Sequence, residues 1–288
     1  MDGNGTVVDN DPFCEHIFWR SVGVRPFVAN PVGMVTGFFM FVQGVIPNVR
    51  VGGDRSRVHY HPSLPGVFYL CKAELACVGI GTVLFHALSD GDAAWWHMND
   101  GMMDWVPIVL MTNAVMALYL CGLLDAGECV TGVVFFFVCL WSCVLIVAMD
   151  SGTRNYYSGM YGGQDTYGAV FNVVLLVPLC LTLAWAGATR IKLGEGVAWF
   201  WVGIGVNIAL WGANTYGCHA VPALFVLHCV YHLTIAWVFV FAACLGVCLD
   251  RERWRFRGLH WGWPEIEPRF VNMESRWMNV RIVRGCER

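Results

Sequence analysis

The stretch PALFVLHCVYHLTIAWVFVFAACLGVC, residues 222–248, decides the fold class. It contains no Asp, Glu, Lys or Arg, and His228 and His232 are its most polar members. A helix needs about 20 mostly apolar residues to cross the hydrocarbon core of a bilayer. The stretch therefore predicts a transmembrane helix that carries two histidines four residues apart.

The composition of the whole chain agrees with this interpretation. Of its 288 residues, 57% are hydrophobic and only 14% are charged, and the mean hydropathy is +0.55. Soluble globular domains have roughly 25% charged residues. The deficit excludes an ordinary cytosolic enzyme, a nucleic-acid-binding protein and a disordered protein. The net charge of −3 is too small to indicate a strongly charged partner.

Similar apolar segments recur along the chain and predict seven transmembrane spans, at 31–48, 66–88, 102–124, 129–149, 168–187, 197–213 and 222–248. Unpaired backbone is not tolerated against lipid, and the segments lack the alternation of membrane strands, so we expect helices. The predicted fold is an all-α membrane protein with a seven-helix bundle at 31–248. An N-terminal segment, 1–30, precedes the bundle, and an Arg- and Trp-rich tail, 249–288, follows it.

The basic residues orient the predicted bundle. Arg20, Arg25 and Arg154 fall on one side of the membrane, whereas fourteen of the eighteen basic residues fall on the other side. Cytosolic loops carry the excess of Lys and Arg. The prediction is a cytosolic C-terminus and a lumenal N-terminus. An Arg-rich tail in that place predicts contact with anionic lipid, with a merely solvated tail as the alternative.

Three clusters of polar side chains stand out within or at the ends of the predicted spans, where ionisable groups are costly and usually functional. They are Thr82 and His86 in the second span, Asp104 in the third, and His228 and His232 in the seventh. The predicted directions of these spans place all five at the lumenal end. Three different helices thus bring them to one depth in the membrane.

The residue types at this depth suit a metal site. Residues four apart share a helix face, so His228 and His232 could bind one ion, and His86 would complete a His₃ set with an open position for water. Zinc suits neutral imidazole and activates bound water near neutral pH. Asp104 could accept a proton from that water, and Thr82 could hydrogen-bond an oxyanion. Alternatively, each histidine hydrogen-bonds a neighbouring helix and binds no metal.

The ordered set of motifs resembles the alkaline ceramidases, seven-helix intramembrane zinc amidases related to adiponectin receptors and GPI-remodelling phospholipases. Gly-Thr-x₂-Phe-His at 81–86, Asp-Trp-Val-Pro at 104–107 and His-x₃-His at 228–232 carry the resemblance. Phe-Cys-Glu at 13–15 and Trp-x₂-Asn-x₃-Cys at 211–218 also resemble the family. The similarity covers residues 12 to about 248.

The resemblance implies both an activity and its residues. It implies hydrolysis of the ceramide amide to sphingosine and a fatty acid near the lumenal leaflet of the ER or Golgi. The roles it implies are zinc ligation by His86, His228 and His232, general base catalysis by Asp104, a polar contact from Thr82, and a disulfide between Cys14 and Cys218.

Three departures from the family pattern leave other functions open. Thr82 replaces a serine, the segment 87–103 is longer than in the family, and Glu15 alone is left as a clear candidate from the family's calcium site. Calcium dependence is therefore doubtful. The first two changes affect the mouth of the predicted pocket and motivate a phospholipid or GPI-type ester as the alternative substrate. A non-catalytic seven-helix receptor or structural protein is the third alternative.

Overall fold

The computed structural model describes residues 14–24, 30–51, 64–88, 96–124, 129–142, 195–217, 220–249, 254–260 and 262–268. These residues are mostly helical. The helices are α1 (Cys14–Ser21), α2 (Pro31–Val45), α3 (Gly66–Leu88), α4 (Trp96–Leu123), α5 (Cys129–Ser142), α6 (Glu195–Gly217) and α7 (Phe225–Cys248). A short 3₁₀ turn, Pro222–Leu224, leads into α7.

Helices α2 to α7 fall at six of the seven predicted segments, and the remaining segment, 168–187, lies outside the described residues. Within the described part of the chain, two helical stretches are long and apolar enough to cross a membrane, Gly66–Ala87 and Pro222–Cys248. Three other apolar stretches are shorter, at Pro31–Val45, Pro107–Leu123 and Cys129–Ser142. Helix α1 is an addition to the prediction, which had given residues 1–30 only as an N-terminal segment before the bundle.

A small sheet differs from the all-α prediction. Strands β2 (Trp254–His260) and β3 (Trp263–Pro268) form an antiparallel hairpin, and β1 (Arg50–Val51) pairs in parallel with β3. The run Trp254-Arg255-Phe256-Arg257 alternates apolar and charged side chains, which is the strand period. Trp254 is buried, whereas Arg255 and Arg257 are exposed. The first part of the predicted tail is therefore an ordered hairpin.

Helix α7 lies at the centre of the described core and contacts α2, α3, α4, α6 and the hairpin. From Ile235 to Leu249, every residue except Trp237 is buried. Tyr119 of α4 donates a hydrogen bond to the carbonyl oxygen of Ala242 in this half of the helix, at 2.8 Å. The N-terminal half of α7 is more open, because Val226, Val230 and Leu233 are exposed. Both histidines of α7 lie in that half.

Helices α2 and α3 approach closely through glycines, as helices packed in membranes often do. A Cβ on Gly44 of α2 would lie 2.5 Å from the amide nitrogen of Ala76, and one on Gly79 of α3 would lie 2.1 Å from that of Phe41. Lys72 of α3 also binds the C-terminal end of α2, where its ammonium donates to the carbonyl oxygen of Ile46 at 2.7 Å. These contacts align the start of α2 with the end of α3.

Candidate metal centre

Three histidines from two antiparallel helices form one cluster. His86 lies in the last turn of α3, and His228 and His232 lie in the first two turns of α7. Their ring centroids are 5.5 Å apart for His86 and His228, 5.2 Å for His86 and His232, and 4.4 Å for His228 and His232. The predicted convergence of these three residues is confirmed, because helices that run in opposite directions bring the two ends together.

The geometry of the cluster fits a metal ion. The ligand atoms of the three imidazoles all lie within 4.8 Å of one another. Zinc–nitrogen bonds of about 2.0–2.1 Å place the nitrogens of a tetrahedral site about 3.3 Å apart, so the three donors need to approach one another by at most about 1.5 Å. His86 is only 3% exposed and His232 only 4%, and burial of this kind favours the neutral imidazole, which has one acceptor nitrogen.

The donor set accepts several metals. Imidazole suits zinc, copper, iron and nickel, so three histidines could hold a metal ion but do not indicate which metal. Three protein ligands leave a fourth position of a tetrahedral ion open, as in catalytic rather than structural zinc sites. The arrangement can therefore bind and polarise one further ligand.

Helix α2 supplies contacts around the cluster that the sequence analysis missed. Thr36 Oγ1 lies 3.0 Å from Nδ1 of His232. A Cβ on Gly33 would lie 2.6 Å from Nδ1 of His86, so the backbone of α2 passes directly beside that ring. The spacing Gly33-x₃-Gly37 with Thr36 inside it was the available signal, because small residues mark close helix contacts in membranes.

Asn214 of α6 contacts His228, the first histidine of α7. Its Nδ2 lies 3.5 Å from Nδ1 of His228. Sequence analysis had quoted Asn214 only as part of a motif. The structure thus gives His228 and His232 each a polar neighbour on the Nδ1 side, from α6 and α2 respectively.

The structure describes the side chain of one predicted catalytic residue, Thr82, but not that of the other, Asp104. Thr82 lies in α3 one turn before His86, is 1% exposed and faces α2, since a Cβ on Gly37 would lie 2.9 Å from its methyl carbon. Asp104 lies in α4, three residues before Pro107, and its side chain is outside the described part of the structure. Their proposed catalytic roles stay predictions.

Glu15, the candidate calcium ligand, caps a helix. Its carboxylate accepts hydrogen bonds from the backbone amides of Val32 at 2.7 Å and Gly33 at 2.9 Å, and from the indole of Trp19 at 3.1 Å. The first two are unpaired N–H groups at the start of α2, where a negative charge is stabilising. These donors occupy the carboxylate that a cation would need. The groups of three or more candidate metal ligands among the described residues do not include Glu15.

Helix α1 lies against the start of α7 through aromatic contacts. Phe18 and Trp19 of α1 lie with ring centroids 5.1 Å and 6.3 Å from that of Phe225, the first residue of α7. The predicted disulfide cannot be placed on this framework, because Cys218 and the side chain of Cys14 lie outside the described residues. Helix α1 is thus held next to the histidine cluster by noncovalent contacts.

Comparison with known proteins adds no relative. No protein-family model matches this chain, and no curated protein matches it in a sequence search. The functional interpretation therefore depends on the residues and their geometry.

Proposed function

We propose that the protein is an intramembrane zinc-dependent lipid amidase that hydrolyses ceramide to sphingosine and a fatty acid. The observation that carries the proposal is the convergence of His86, His228 and His232 at the meeting ends of α3 and α7, with ligand atoms within 4.8 Å of one another. The ordered motifs that resemble alkaline ceramidases supply the substrate class.

The proposed setting is a seven-helix membrane bundle with the cluster near the lumenal leaflet of the ER or Golgi. Two stretches of membrane-spanning length support it. Large apolar side chains that face outward also support it, since soluble proteins rarely expose them together. Examples are Phe136, Phe137 and Trp141 of α5 and Ile208 of α6, each more than 60% exposed. The distribution of basic residues gives the orientation.

The chain's own residues have defined parts in the proposed reaction. His86, His228 and His232 would hold the ion through neutral nitrogens. Zinc bound there supplies a Lewis acid and a water that is activated near neutral pH. Asp104 would accept a proton from that water, and the Thr82 hydroxyl would donate to the oxygen on which charge develops. Because His86 and His232 are almost completely buried, charge–dipole interactions in this site are stronger than they would be in water.

The test uses purified full-length protein in detergent, with zinc content and lipid products measured together. We expect one zinc per chain, release of sphingosine from ceramide, and loss of both in His228→Ala. His61→Ala is the control, because His61 lies in the first predicted cytosolic loop, outside the described residues. Amide cleavage that survives in His228→Ala would overturn the mechanism.

The same assay separates the alternative functions. Ceramide, a phospholipid and a GPI-type lipid are offered in parallel and their products identified. Cleavage of the ester lipids alone would replace the amidase with an esterase on the same centre. Zinc binding without turnover of any of these lipids would indicate a receptor or structural protein in which the ion joins α3 to α7.

A further inference from the structure

Thr36 is a buried polar residue that the proposed reaction does not use. It lies in α2, is 6% exposed, and reaches across to α7, where its Oγ1 is 3.0 Å from Nδ1 of His232. The same oxygen lies 3.1 Å from the carbonyl oxygen of Val32 and 3.0 Å from that of Gly33. Three polar partners therefore surround one hydroxyl group.

The direction of these hydrogen bonds depends on where the single proton of the Thr36 hydroxyl goes. A hydroxyl carries one proton and two lone pairs, and a carbonyl oxygen can only accept. A proton given to His232 would leave both carbonyl contacts without one, whereas a threonine inside a helix commonly donates to the preceding turn, here to the carbonyl oxygen of Val32 or Gly33. A lone pair of Oγ1 is then free, and it satisfies His232 only if Nδ1 of that imidazole carries the proton.

We infer that Thr36 is a positioning residue that holds His232 as the Nδ1–H tautomer, with the lone pair of Nε2 directed to the metal. The inference rests on the proposed metal centre. A neutral imidazole has one donor and one acceptor nitrogen, so the partner of one nitrogen decides which nitrogen can bind metal. Partners of this kind typically raise metal affinity by 10–100-fold.

Asn214 gives His228 an equivalent contact. Its Nδ2 faces Nδ1 of His228 at 3.5 Å, while its Oδ1 is buried and has no hydrogen-bond partner among the described residues. A 180° rotation of the amide exchanges the two atoms and places Oδ1 against Nδ1. In that orientation Nδ1–H of His228 would donate to Oδ1, and the lone pair of Nε2 would be left for the metal. Two different helices then orient the two histidines of α7 in the same way.

The position of Thr36 follows from the glycines around it. Gly33 and Gly37 let α2 approach α3 so closely that a Cβ on either would come within 3 Å of His86 or Thr82. Because α2 lies this near the cluster, a side chain as short as threonine reaches His232. The hydroxyl is required for the contact, whereas the methyl group contributes packing that valine can replace.

The test measures zinc affinity of the full-length protein in detergent, by competition with a chelator. Thr36→Val keeps the shape and removes the acceptor, so we expect binding that is 10–100-fold weaker. Thr36→Ser restores the hydroxyl and should return the affinity to within about threefold of the wild type. The matched control is Thr112→Val in α4, since Thr112 is fully buried and donates within its own helix, to the carbonyl oxygen of Ile108 at 2.8 Å.

A second measurement needs neither metal nor turnover. Nitrogen-15 NMR of labelled histidine in the metal-free protein distinguishes a protonated from an unprotonated ring nitrogen. We expect His232 to show protonated Nδ1 and unprotonated Nε2 in the wild type and in Thr112→Val, and to lose this preference in Thr36→Val.

Different results would overturn the inference about Thr36 and the proposed function. Unchanged zinc affinity in Thr36→Val, an equal loss in Thr36→Val and Thr112→Val, or a wild-type His232 protonated on Nε2 would each overturn the role of Thr36. A wild-type protein that binds zinc but cleaves no lipid would overturn the proposed function alone, because affinity and tautomer are measured without substrate. A wild-type protein that binds no zinc would overturn both.

Discussion

The indole nitrogen of Trp237 donates a 2.6 Å hydrogen bond to the carbonyl oxygen of Gly262. Gly262 has a φ of 78° and forms the turn of the β2–β3 hairpin, whereas Trp237 lies in the middle of α7. At a rise of 1.5 Å per residue, Trp237 is about 17 Å from the C-terminal end of α7. The hairpin therefore folds back along the C-terminal half of this helix.

This contact predicts that Trp237→Phe releases the hairpin. Phenylalanine keeps the stacking on Phe241, whose ring centroid lies 5.1 Å away, but it has no donor for Gly262. We expect the free energy of unfolding to fall by about 1 kcal/mol. Limited trypsin digestion should then cleave sooner after Arg255 and Arg257, which lie in β2.

The control for this experiment is Trp141→Phe, because Trp141 is 62% exposed on α5. It should change neither stability nor cleavage. Equal protection of the hairpin in Trp237→Phe and in the wild type would show that apolar packing of Trp254 and Ile266 is enough to hold it.

The histidine cluster could be predicted from sequence because it depends on two regular quantities. The helical period places His228 and His232 on one face, and the direction of each apolar segment places His86 at the same end. Neither step needs knowledge of how the helices pack. For the same reason, six of the seven apolar segments coincide with helices of the described structure.

The sheet and the surroundings of the cluster could not be predicted in this way. Strand β1 has only two residues and pairs with a strand more than 200 residues later, so its register, Arg50 with Glu265, has no local signal. Thr36 becomes important only because α2 lies against α3 and α7. Such contacts depend on the packing of three helices, which a single sequence does not specify.

The close approach of α2 predicts that Gly33→Ala disrupts the metal centre. The added Cβ would lie 2.6 Å from Nδ1 of His86, and contacts under 3.0 Å force one group to move. Because His86 is nearly completely buried, its ring can move only by leaving its place in the cluster. We expect zinc affinity to fall at least tenfold, as chelator competition would measure.

Gly205→Ala in α6 is the matched control, since nothing lies within 4 Å of its added Cβ. Alanine is the better helix former by about 1 kcal/mol, so this control should retain zinc and be slightly more stable. Full zinc affinity in Gly33→Ala would mean that α2 moves to make room for the added methyl group and that α2 does not fix the position of the His86 ring.

Zinc bound by the histidine cluster should stabilise the folded protein, and single substitutions of the three histidines test this expectation. A ligand that binds only the folded state at 100 times its Kd stabilises it by about 2.7 kcal/mol. Excess zinc should therefore raise the Tm of the wild type but not that of His86→Ala, His228→Ala or His232→Ala. A zinc-dependent shift of Tm that persists in all three variants would place the metal elsewhere.

The cap at the start of α2 predicts that Glu15→Gln lowers stability without removing zinc. Glutamine keeps the size of the side chain but removes the charge and one of the two acceptor oxygens that bind the amides of Val32 and Gly33. We expect the free energy of unfolding to fall by about 1 kcal/mol. Thermal melts in detergent, with zinc content measured on the same samples, would test this.

Glu267→Gln and a calcium titration complete that experiment. Glu267 forms a partly exposed ion pair with Arg257 at 3.3 Å, and such pairs contribute little, so its loss should leave Tm nearly unchanged. Calcium should shift the Tm of the wild type and of Glu15→Gln equally, because N–H donors already occupy the carboxylate of Glu15. Calcium that stabilises the wild type but not Glu15→Gln would instead make Glu15 a calcium ligand.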